Sequence, residues 1–561
     1  MRSQVLSALK VTGLLLQNLQ ELIEIPKDNT HGDYSFPCFS LAKTWKKNPV
    51  EIAKEVVSKI GSVKGFEKVE AAGPYVNFFM NKNILTTQIL DKISKEKDRY
   101  GSNNSGKGKK VVIEFGSPNT NKPLHLGHVR NLSIGDSVAR ILEFNKNKVS
   151  KVCINNDRGV HICKSMVAYK DFGKGATPEK NRKKSDHFVG DYYVLFSKKA
   201  KEEPSYEIKA QECLQKWESG DKQTIELWKK MNKWALDGFN ETYKKLGIKF
   251  DKEYYESKIY TKGKEIVELG IKKGIFSKKD GAVVIDLNKE GLGEKVLLRA
   301  DGTSIYITQD LYLAKLRNEE HSMDGCIYVV ANEQEYHFRV LFTILKKIGF
   351  SFADKLHHLS YGMVELPEGR MKSREGTVID ADDLIEEMQK LSKEELDKRI
   401  KLNKKEIENR SIAIALSALK YSMLKVDIKR NITFNPNESI HFEGDTGPYL
   451  LYSYARANSI LRKNNSKKKR KELPELSEKE KQLITEIGKF PEVVKHAEDN
   501  LSPNIIANYT YTLAQTFNEF YHSSQVIGSD EEAFRVELVK AFCTVMKNAM
   551  HLLGIPLLEE M

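Results

Sequence analysis

The chain has 561 residues, with 91 Lys or Arg against 77 Asp or Glu, and a formal net charge of +14 at pH 7. Hydrophobic residues make up 40% and charged residues 30%, which is typical of a globular protein with several domains and excludes a disordered or fibrous chain. The apolar stretches are far shorter than the ~18 residues that a membrane-spanning helix requires, so no membrane association is expected. The N-terminal segment has polar residues where a signal peptide is apolar, which predicts an amphipathic helix in a cytoplasmic protein.

The positive charge and the six cysteines narrow the range of partners. The net positive charge has two equally good interpretations. One is a polyanionic partner such as nucleic acid, and the other is a solvated lysine-rich surface with no such partner. The cysteines form no C-x-x-C pair, so neither structural zinc nor another metal site is expected. A disulfide framework is not expected at this length, and we interpret the cysteines as reduced thiols.

The first 155 residues predict two units joined by a linker. A helix, the alternating run PYVNFFMN (74–81) and a charged helix indicate a small α+β domain. GSNNSGKGKK (101–110) has no periodicity and is typical of a linker. The apolar run at 111–115, the helical spacing at 129–146 and the apolar run at 150–155 then predict a strand–helix–strand unit with a parallel sheet.

The next part of the chain predicts an interrupted sheet and then helices. Residues from about 165 to 280 are polar and largely helical by pattern, which indicates an insertion. The strand-like runs at 282–287, 296–300 and 327–331 are predicted to resume the parallel sheet. Beyond about 385 only helices are predicted. The basic run at 462–471 is interpreted as a solvated loop, with direct contact to RNA as the alternative.

These patterns predict the fold class and three domains. The α/β core is a Rossmann-like parallel-sheet domain over residues 106–390, with the insertion at about 165–280. A small α+β domain precedes it at 1–105, and an all-α domain follows it at 391–561.

The stretch PNTNKPLHLGHVRN (118–131) lies between a predicted buried strand and a helix. Its two imidazoles, His125 and His128, would therefore lie at a helix N-terminus, where free backbone N–H groups attract phosphate. Gly127 removes a side chain, so that a flat ring or a phosphate can approach the backbone. From this motif alone, a packing role for two histidines in a turn is as good an interpretation as a phosphate-binding role.

A second motif, GRMKSREGT (369–377), is a basic loop flanked by glycines. Basic loops beside a nucleotide neutralise charge that develops on phosphate during a reaction. Taken alone, the motif is better explained as a solvated turn.

Together, in this order around an interrupted parallel sheet, the two motifs resemble the HIGH and KMSKS elements of class I aminoacyl-tRNA synthetases. The surrounding sequence is similar to that of the arginyl-tRNA synthetase family from about residue 31 to the C-terminus. The similar segments outside the first motif are HGDYSFPCFSLAK (31–43), AGPYVNFFMN (72–81), DGTSIYITQDLYLA (301–314), YVVANEQEYHF (328–338), GDTGPYLLYSYARANSI (444–460) and the terminal HLLGIPLLEEM.

The resemblance implies an arginine–tRNA ligase whose partners are tRNA(Arg) and L-arginine. It also implies ATP as a substrate together with Mg²⁺, an N-terminal additional tRNA-binding domain, a C-terminal anticodon-binding domain, and a monomer. In the first step the arginine carboxylate attacks the α-phosphorus of ATP. A carboxylate is already ionised near neutral pH, so this step needs positioning and charge stabilisation rather than a general base.

The resemblance also implies roles for individual residues. The catalytic set would be Lys122, His125, His128, Arg370 and Lys372. The ATP-binding set would be His125, Gly127, His128, Met371 and Ser373. The arginine-binding set would be Asn119, Glu256, Tyr306, Asp310 and Gln334. The tRNA-binding set would be Asn77, Phe79, Tyr449, Tyr452 and Met561.

The KMSKS-like loop departs from the family pattern. It reads Arg370-Met371-Lys372-Ser373-Arg374, so its first position is Arg where the motif has Lys, and Ser373 stands at the position of the second lysine. A guanidinium is a wide fork and an ammonium is a compact point charge, so the two are not equivalent at a phosphate. Many arginyl enzymes resemble this one in lacking the second lysine, and in those a lysine just before the H-x-G-H element takes over. Lys122 has the matching position here.

Two alternative functions agree less well with the sequence. Another nucleotidyltransferase with an H-x-G-H element would be shorter and would lack the helical C-terminal region. A non-catalytic tRNA-binding paralogue would not be expected to retain His125, His128, Tyr306, Asp310 and Gln334 together.

Overall fold

The computed structural model describes residues 2–14, 19, 21–26, 28–303, 305–367, 379–464, 470 and 472–561. The N-terminal region is an α+β unit, as predicted, with an antiparallel sheet in the order β1-β3-β2. Its elements are α1 (Arg2–Val11), β1 (Tyr34–Pro37), α2 (Phe39–Trp45), α3 (Pro49–Ile60), β2 (Phe66–Ala72), β3 (Tyr75–Met80) and α4 (Lys82–Glu96). The alternating run at 74–81 is the central strand, which buries Val76 and Phe78.

The middle of the chain is the predicted Rossmann-like unit, a five-stranded sheet in the order β11-β10-β4-β5-β6 in which every pairing is parallel. Its elements and those inserted between them are β4 (Lys110–Glu114), α5 (Leu126–Phe144), β5 (Lys148–Asn155), α6 (Val160–Phe172), α7 (Ser185–Glu202), α8 (Ser205–Glu218), α9 (Lys222–Leu246), β6 (Lys252–Tyr255), α10 (Glu256–Ile259), α11 (Gly263–Lys272), β7 (Ser277–Lys279), β8 (Ala282–Leu287), β9 (Gly293–Leu298), α12 (Tyr306–His321), β10 (Gly325–Ala331), α13 (Glu335–Ile348), β11 (Leu356–Tyr361), β12 (Val364–Glu365) and α14 (Ala381–Asp397).

The C-terminal region is helical, as predicted, except for one very short strand. Its elements are α15 (Lys404–Leu424), β13 (Ile432–Thr433), α16 (Pro436–Ser439), α17 (Gly447–Lys463), α18 (Glu478–Asn500), α19 (Pro503–Ser523) and α20 (Glu532–Leu552). β13 pairs with β12 over two residues, so the prediction of no strand beyond 385 is wrong at this point. Among the described helices, none combines the length and apolar character that crossing a bilayer requires.

Two of the strands predicted to resume the parallel sheet belong elsewhere. β8 and β9, which cover the apolar runs at 282–287 and 296–300, pair antiparallel with each other in a separate sheet with β7. Only residues 288–292 connect them, whereas parallel neighbours need a crossover of about a dozen residues or more. The third run, at 327–331, is in the parallel sheet as β10.

Two predicted boundaries also change. The insertion at 165–280 was predicted too long, because β6 lies inside that range and is the edge strand of the parallel sheet. An exposed edge strand with charged residues lacks the continuous apolar run that marked the other strands. The domain boundary at 390 falls within α14, and the next break between helices comes after Asp397.

Helix α5 joins the parallel sheet to the C-terminal region. Arg130 on this helix has no exposed surface, and its guanidinium donates to the backbone carbonyls of Met363 (2.6 Å), Arg430 (2.7 Å) and Ile428 (3.2 Å). These carbonyls lie on both sides of the β12–β13 pairing, so one buried cation connects the helix to two distant parts of the chain.

We therefore expect Arg130→Met to lower the free energy of unfolding by about 3 kcal/mol, because it leaves buried carbonyls without a donor. Urea unfolding followed by circular dichroism measures the change. Lys346→Met is the matched control, since the Lys346 side chain is 69% exposed. Similar losses in the two variants would contradict a structural role specific to Arg130.

Candidate functional site

The H-x-G-H motif forms the N-terminus of α5, directly after the loop that follows β4. His125 is the N-cap residue, and its backbone N–H donates to Nδ1 of His128 at 3.1 Å. The centroids of the two rings are 3.9 Å apart. A Cβ atom at Gly127 would lie 3.0 Å from the His125 ring, so glycine keeps this ring in place. The structure thus brings both predicted histidines to a helix N-terminus.

Both imidazoles are neutral near pH 7. Burial, with a smaller contribution from the charge of Lys122, lowers the pKa of His125 to about 4. Burial and the neighbouring His125 hold the pKa of His128 well below its usual range. Burial also lowers the pKa of Lys122. The two rings can therefore serve as neutral hydrogen-bond donors, and the charge of Lys122 acts on both of them.

The segment that follows the basic loop pairs with the H-x-G-H motif. The backbone N–H of Leu126 donates to the carbonyl of Ile379 at 2.9 Å, and the N–H of Ala381 donates to the carbonyl of Leu124 at 2.9 Å. The residues predicted for the loop itself lie outside the described residues; they are Arg370, Met371, Lys372 and Ser373.

The residues predicted to bind arginine follow the carboxyl ends of three strands of the parallel sheet or lie on the first turns of helix α12. Asn119 follows β4 and forms a β-bridge with Asn156, just beyond β5. Glu256 follows β6, and Gln334 lies in a short 3₁₀ helix after β10. The carboxyl edge of a parallel sheet is where α/β proteins bind their ligands.

Glu256 has a cationic neighbour that the sequence did not reveal. Its carboxylate is 8% exposed and lies 3.7 Å from the guanidinium of Arg158. That guanidinium also binds Glu218 of helix α8 at 2.6 Å and lies 4.0 Å from the centroid of the Tyr260 ring. Burial raises the pKa of Glu256 to about 7, against the opposing charge of Arg158. Arg158 lies in the loop that follows the carboxyl end of β5, a position that could have identified it.

Asp310 and Tyr306 lie on the first turns of α12, as predicted. Asp310 accepts a hydrogen bond from Nε2 of His337 on α13 at 2.7 Å, and the sequence prediction missed this partner. Tyr306 is 73% exposed and is free to contact a ligand. The charge of Asp310 contributes to the raised pKa of Glu256, which places the two carboxylates within electrostatic range of each other.

The predicted tRNA-binding residues divide into three groups. Tyr452 and Met561 line one cavity of about 880 Å³ between the C-terminal helices, together with Arg410, Arg456, Arg462, Lys463 and Tyr521. Arg456 donates to the Tyr452 hydroxyl at 2.9 Å. Tyr449 lies outside that lining and accepts a hydrogen bond from Asn518.

The other two residues are in the N-terminal sheet. Phe79 is partly exposed, with the ammonium of Lys68 5.5 Å from its ring centroid. Asn77 is 3% exposed, and its amide oxygen accepts a hydrogen bond from Ser35. Asn77 lies on the face of β3 opposite Val76 and Phe78, and this face is covered as well, so its amide is buried where the prediction requires it to be accessible to tRNA.

Three family models match the chain. A model described as "Arginyl tRNA synthetase N terminal domain" matches residues 1–80, one described as "tRNA synthetases class I (R), catalytic domain" matches 89–435, and one described as "DALR anticodon binding domain" matches 450–561.

Proteins named arginine–tRNA ligase are similar over nearly the whole chain. The one from Treponema denticola is 47% identical, covering 96% of this chain and 94% of the relative, and the one from Bacteroides thetaiotaomicron is 46% identical, covering 95% and 94%. Among solved structures, Thermus thermophilus arginyl-tRNA synthetase superposes with a TM-score of 0.86 at 26% identity, covering 100% of this chain and 99% of its own.

The low pKa of His125 is directly measurable. We expect its ring to titrate near pH 4 in the folded protein and near 6.5 in urea, because unfolding removes the burial. Histidine-labelled NMR spectra recorded between pH 3.5 and 8 measure it, with His125→Gln assigning the signal. A midpoint near 6.5 in the folded protein would contradict the buried, neutral imidazole.

Proposed function

Because the chain belongs to the arginyl-tRNA synthetase family, we propose that it activates arginine at the carboxyl edge of its parallel sheet. Its activity is arginine–tRNA ligation: ATP and L-arginine form arginyl-adenylate and pyrophosphate, and the arginyl group passes to the 3′ end of tRNA(Arg) with release of AMP. The observation that supports this location is the histidine pair at the N-terminus of α5, at the same sheet edge as Asn119, Glu256 and Gln334.

In the first step an oxygen of the arginine carboxylate bonds to the α-phosphorus, and the bond from that phosphorus to the pyrophosphate oxygen breaks. The α-phosphate oxygens and the leaving pyrophosphate gain negative charge. The neutral rings of His125 and His128 would donate N–H groups to these oxygens, and Lys122 would supply positive charge. Gly127 would let the adenine lie against the backbone.

We propose that ATP enters as its Mg²⁺ complex, with the metal held chiefly by phosphate oxygens and water. Mg²⁺ in nucleotide sites is commonly bound in this way rather than by a cage of protein ligands. The described groups at the motif fit this arrangement, since they are imidazoles and an ammonium, which are donors to phosphate. Met371, Ser373, Arg370 and Lys372 keep their predicted roles at the same phosphates.

For arginine, Asp310 and Glu256 would accept the guanidinium, because a carboxylate pairs with this planar fork through two parallel hydrogen bonds. Tyr306 would flank the guanidinium plane, and Asn119 and Gln334 would hold the α-amino and carboxylate ends. The substrate would have to share Glu256 with Arg158 and replace His337 at Asp310.

In the second step a ribose hydroxyl of the terminal adenosine attacks the activated carbonyl. We propose that the cavity with Tyr452, Met561 and Arg456 receives anticodon bases, since it combines aromatic rings with guanidinium groups. Tyr449 and Phe79 are proposed as further contacts to tRNA.

We also propose that the protein is a cytoplasmic monomer. Its first domain boundary would lie near residue 105 and its second one after Asp397.

Arginine-dependent exchange of pyrophosphate into ATP, run with and without tRNA(Arg), tests the function. We expect exchange with arginine and tRNA and none with lysine. Absence of exchange in the presence of tRNA, with the fold intact by circular dichroism, would contradict the function.

The raised pKa of Glu256 predicts a pH-dependent arginine requirement. At pH 6 a carboxyl group of pKa about 7 is mostly protonated and cannot pair with a guanidinium, and at pH 8 it is mostly ionised. The KM for arginine should therefore fall by about 10-fold from pH 6 to pH 8, while that for ATP stays nearly constant. Glu256→Gln should abolish this dependence, and the same slope in that variant would contradict the assignment.

Lys122 should matter more to adenylate formation than Lys372. A lysine at a strand-to-helix turn is positioned by the surrounding fold, so Lys122→Met should lower kcat by about 100-fold with little change in KM. Lys372→Met, the matched variant in the basic loop, should cost clearly less. The reverse order would mean that Lys372 supplies the main catalytic charge.

A further inference from the structure

A cluster of charged side chains lies where the insertion meets the segment that pairs with the H-x-G-H motif. Its members come from the start of α7, from α9 and from the start of α14. We call it the Asp382 cluster; it consists of Lys184, Asp186, His187, Thr242, Lys245, Asp380 and Asp382.

Asp382 is the centre of the cluster, and its side chain is 4% exposed. One carboxylate oxygen accepts from the ammonium of Lys184 at 2.8 Å and from the hydroxyl of Thr242 at 2.9 Å. The other oxygen accepts from Lys245 at 2.9 Å. Three separate positions on the insertion therefore converge on one carboxylate.

Asp380 and His187 add a second connection. Nε2 of His187 lies 3.3 Å from Asp380 and 3.5 Å from Asp382. Burial opposes a charge on this ring, but the two carboxylates raise the pKa of His187 to about 10, so the ring is a cation at pH 7. With His187 protonated, the three cations of the cluster face its three carboxylates, and the carboxylate of the exposed Asp383 lies close to His187 and Asp380.

The cluster is also closely packed. The Lys184 ammonium binds Asp186 at 2.9 Å. A Cβ atom at Gly238 of α9 would overlap the Asp186 carboxylate. Two sets of three side chains lie near enough to hold a metal ion, Asp186–His187–Asp382 and His187–Asp380–Asp383, yet Lys184 and Lys245 already neutralise Asp382. The chemistry is that of an ion-pair anchor.

Asp380 lies within the segment that pairs with the backbone on both sides of His125. Ile379 and Ala381 make the two hydrogen bonds to Leu126 and Leu124, and Asp380 forms a β-bridge with His125. Asp380 also caps helix α14 by accepting from the N–H of Asp382 at 2.9 Å. A displacement of Asp382 would therefore be transmitted to His125 through two residues of backbone.

We propose that the Asp382 cluster positions His125 for adenylate formation by fixing residues 379–381 to the insertion. This inference rests on the proposed role of His125. Asp382 and Lys245 are accordingly positioning residues that touch neither substrate.

The test compares Asp382→Asn, Lys245→Met and Lys245→Arg in the full-length enzyme with saturating tRNA(Arg). Asp382→Asn should lower kcat for adenylate formation by about 10-fold or more, because small displacements of reacting groups are costly. The KM values for arginine and ATP should change less than about 3-fold, since the substrate contacts remain. Lys245→Met should give a smaller loss of kcat, and Lys245→Arg should restore it.

Glu480→Gln is the control, because Glu480 is a buried carboxylate that pairs with Arg535 in the C-terminal region. It should lower the thermal midpoint and leave kcat unchanged. A loss of kcat in Asp382→Asn no larger than in Glu480→Gln, or no restoration by Lys245→Arg, would overturn the proposal. If Asp382→Asn does not fold, the two Lys245 variants decide, since this side chain is 38% exposed.

The NMR signal of the His125 ring separates failure of this inference from failure of the proposed function. If the wild-type enzyme shows no arginine-dependent exchange, the function fails. The His125 signal should still shift in Asp382→Asn and return in Lys245→Arg relative to Lys245→Met. An unchanged His125 signal in Asp382→Asn would overturn the positioning role itself.

Discussion

The burial of helix α5 is the constraint on which the rest of the structure depends. Fourteen of its residues are buried, among them polar ones, so each buried polar side chain needs a partner inside the protein. Asn131 donates to the carbonyl of Val329 in β10, Ser137 donates to the carbonyl of Leu552 in α20, and Arg130 binds backbone near β12 and β13. The hydrogen bonds made by the buried polar side chains of α5 therefore join the parallel sheet to the C-terminal helices.

The N-terminal end of α5 carries the two histidines that are proposed to bind ATP. A Cβ atom at Gly135 would overlap the Phe115 ring, so glycine lets α5 approach the end of β4 closely. The N-terminus of α5 then lies at the carboxyl edge of the sheet, with His125 and His128 on it. The partial positive charge of a helix N-terminus and two neutral N–H donors suit an ATP phosphate.

The carboxylates at this edge are partnered within the protein. Glu256 lies beside Arg158, and Asp310 binds His337. A partly buried carboxyl group without a polar partner is costly, so these contacts stabilise the site in the absence of a guanidinium. In the proposed arginine pocket, recognition would be an exchange of partners, and selectivity would depend on Arg158 and His337 as well as on the residues that touch the substrate.

Periodicity and motif spacing were sufficient for the helix after the H-x-G-H motif and for its two histidines, because these depend on neighbouring residues. They were also sufficient for the β4–α5–β5 unit, because a crossover helix between two strands requires that the strands be parallel. They failed where pairing is non-local. The runs at 282–287 and 296–300 look like strands of any sheet, and the direction of pairing depends on their short connection. Asn77 illustrates the same limit on one residue, since the alternation places it opposite Val76 and Phe78 but does not reveal that this second face of β3 is covered as well.

The sequence by itself determined the family, the reaction and the order of the domains, since motif letters and their spacing carry that information along the chain. Only the tertiary structure decided which charges meet. Glu256 and Arg158 are 98 residues apart, and Asp382 receives Lys184 and Lys245 from a different part of the chain. The reason is physical: the free energy of an ion pair depends on distance and burial, and both are set by how separate helices and strands pack rather than by sequence proximity.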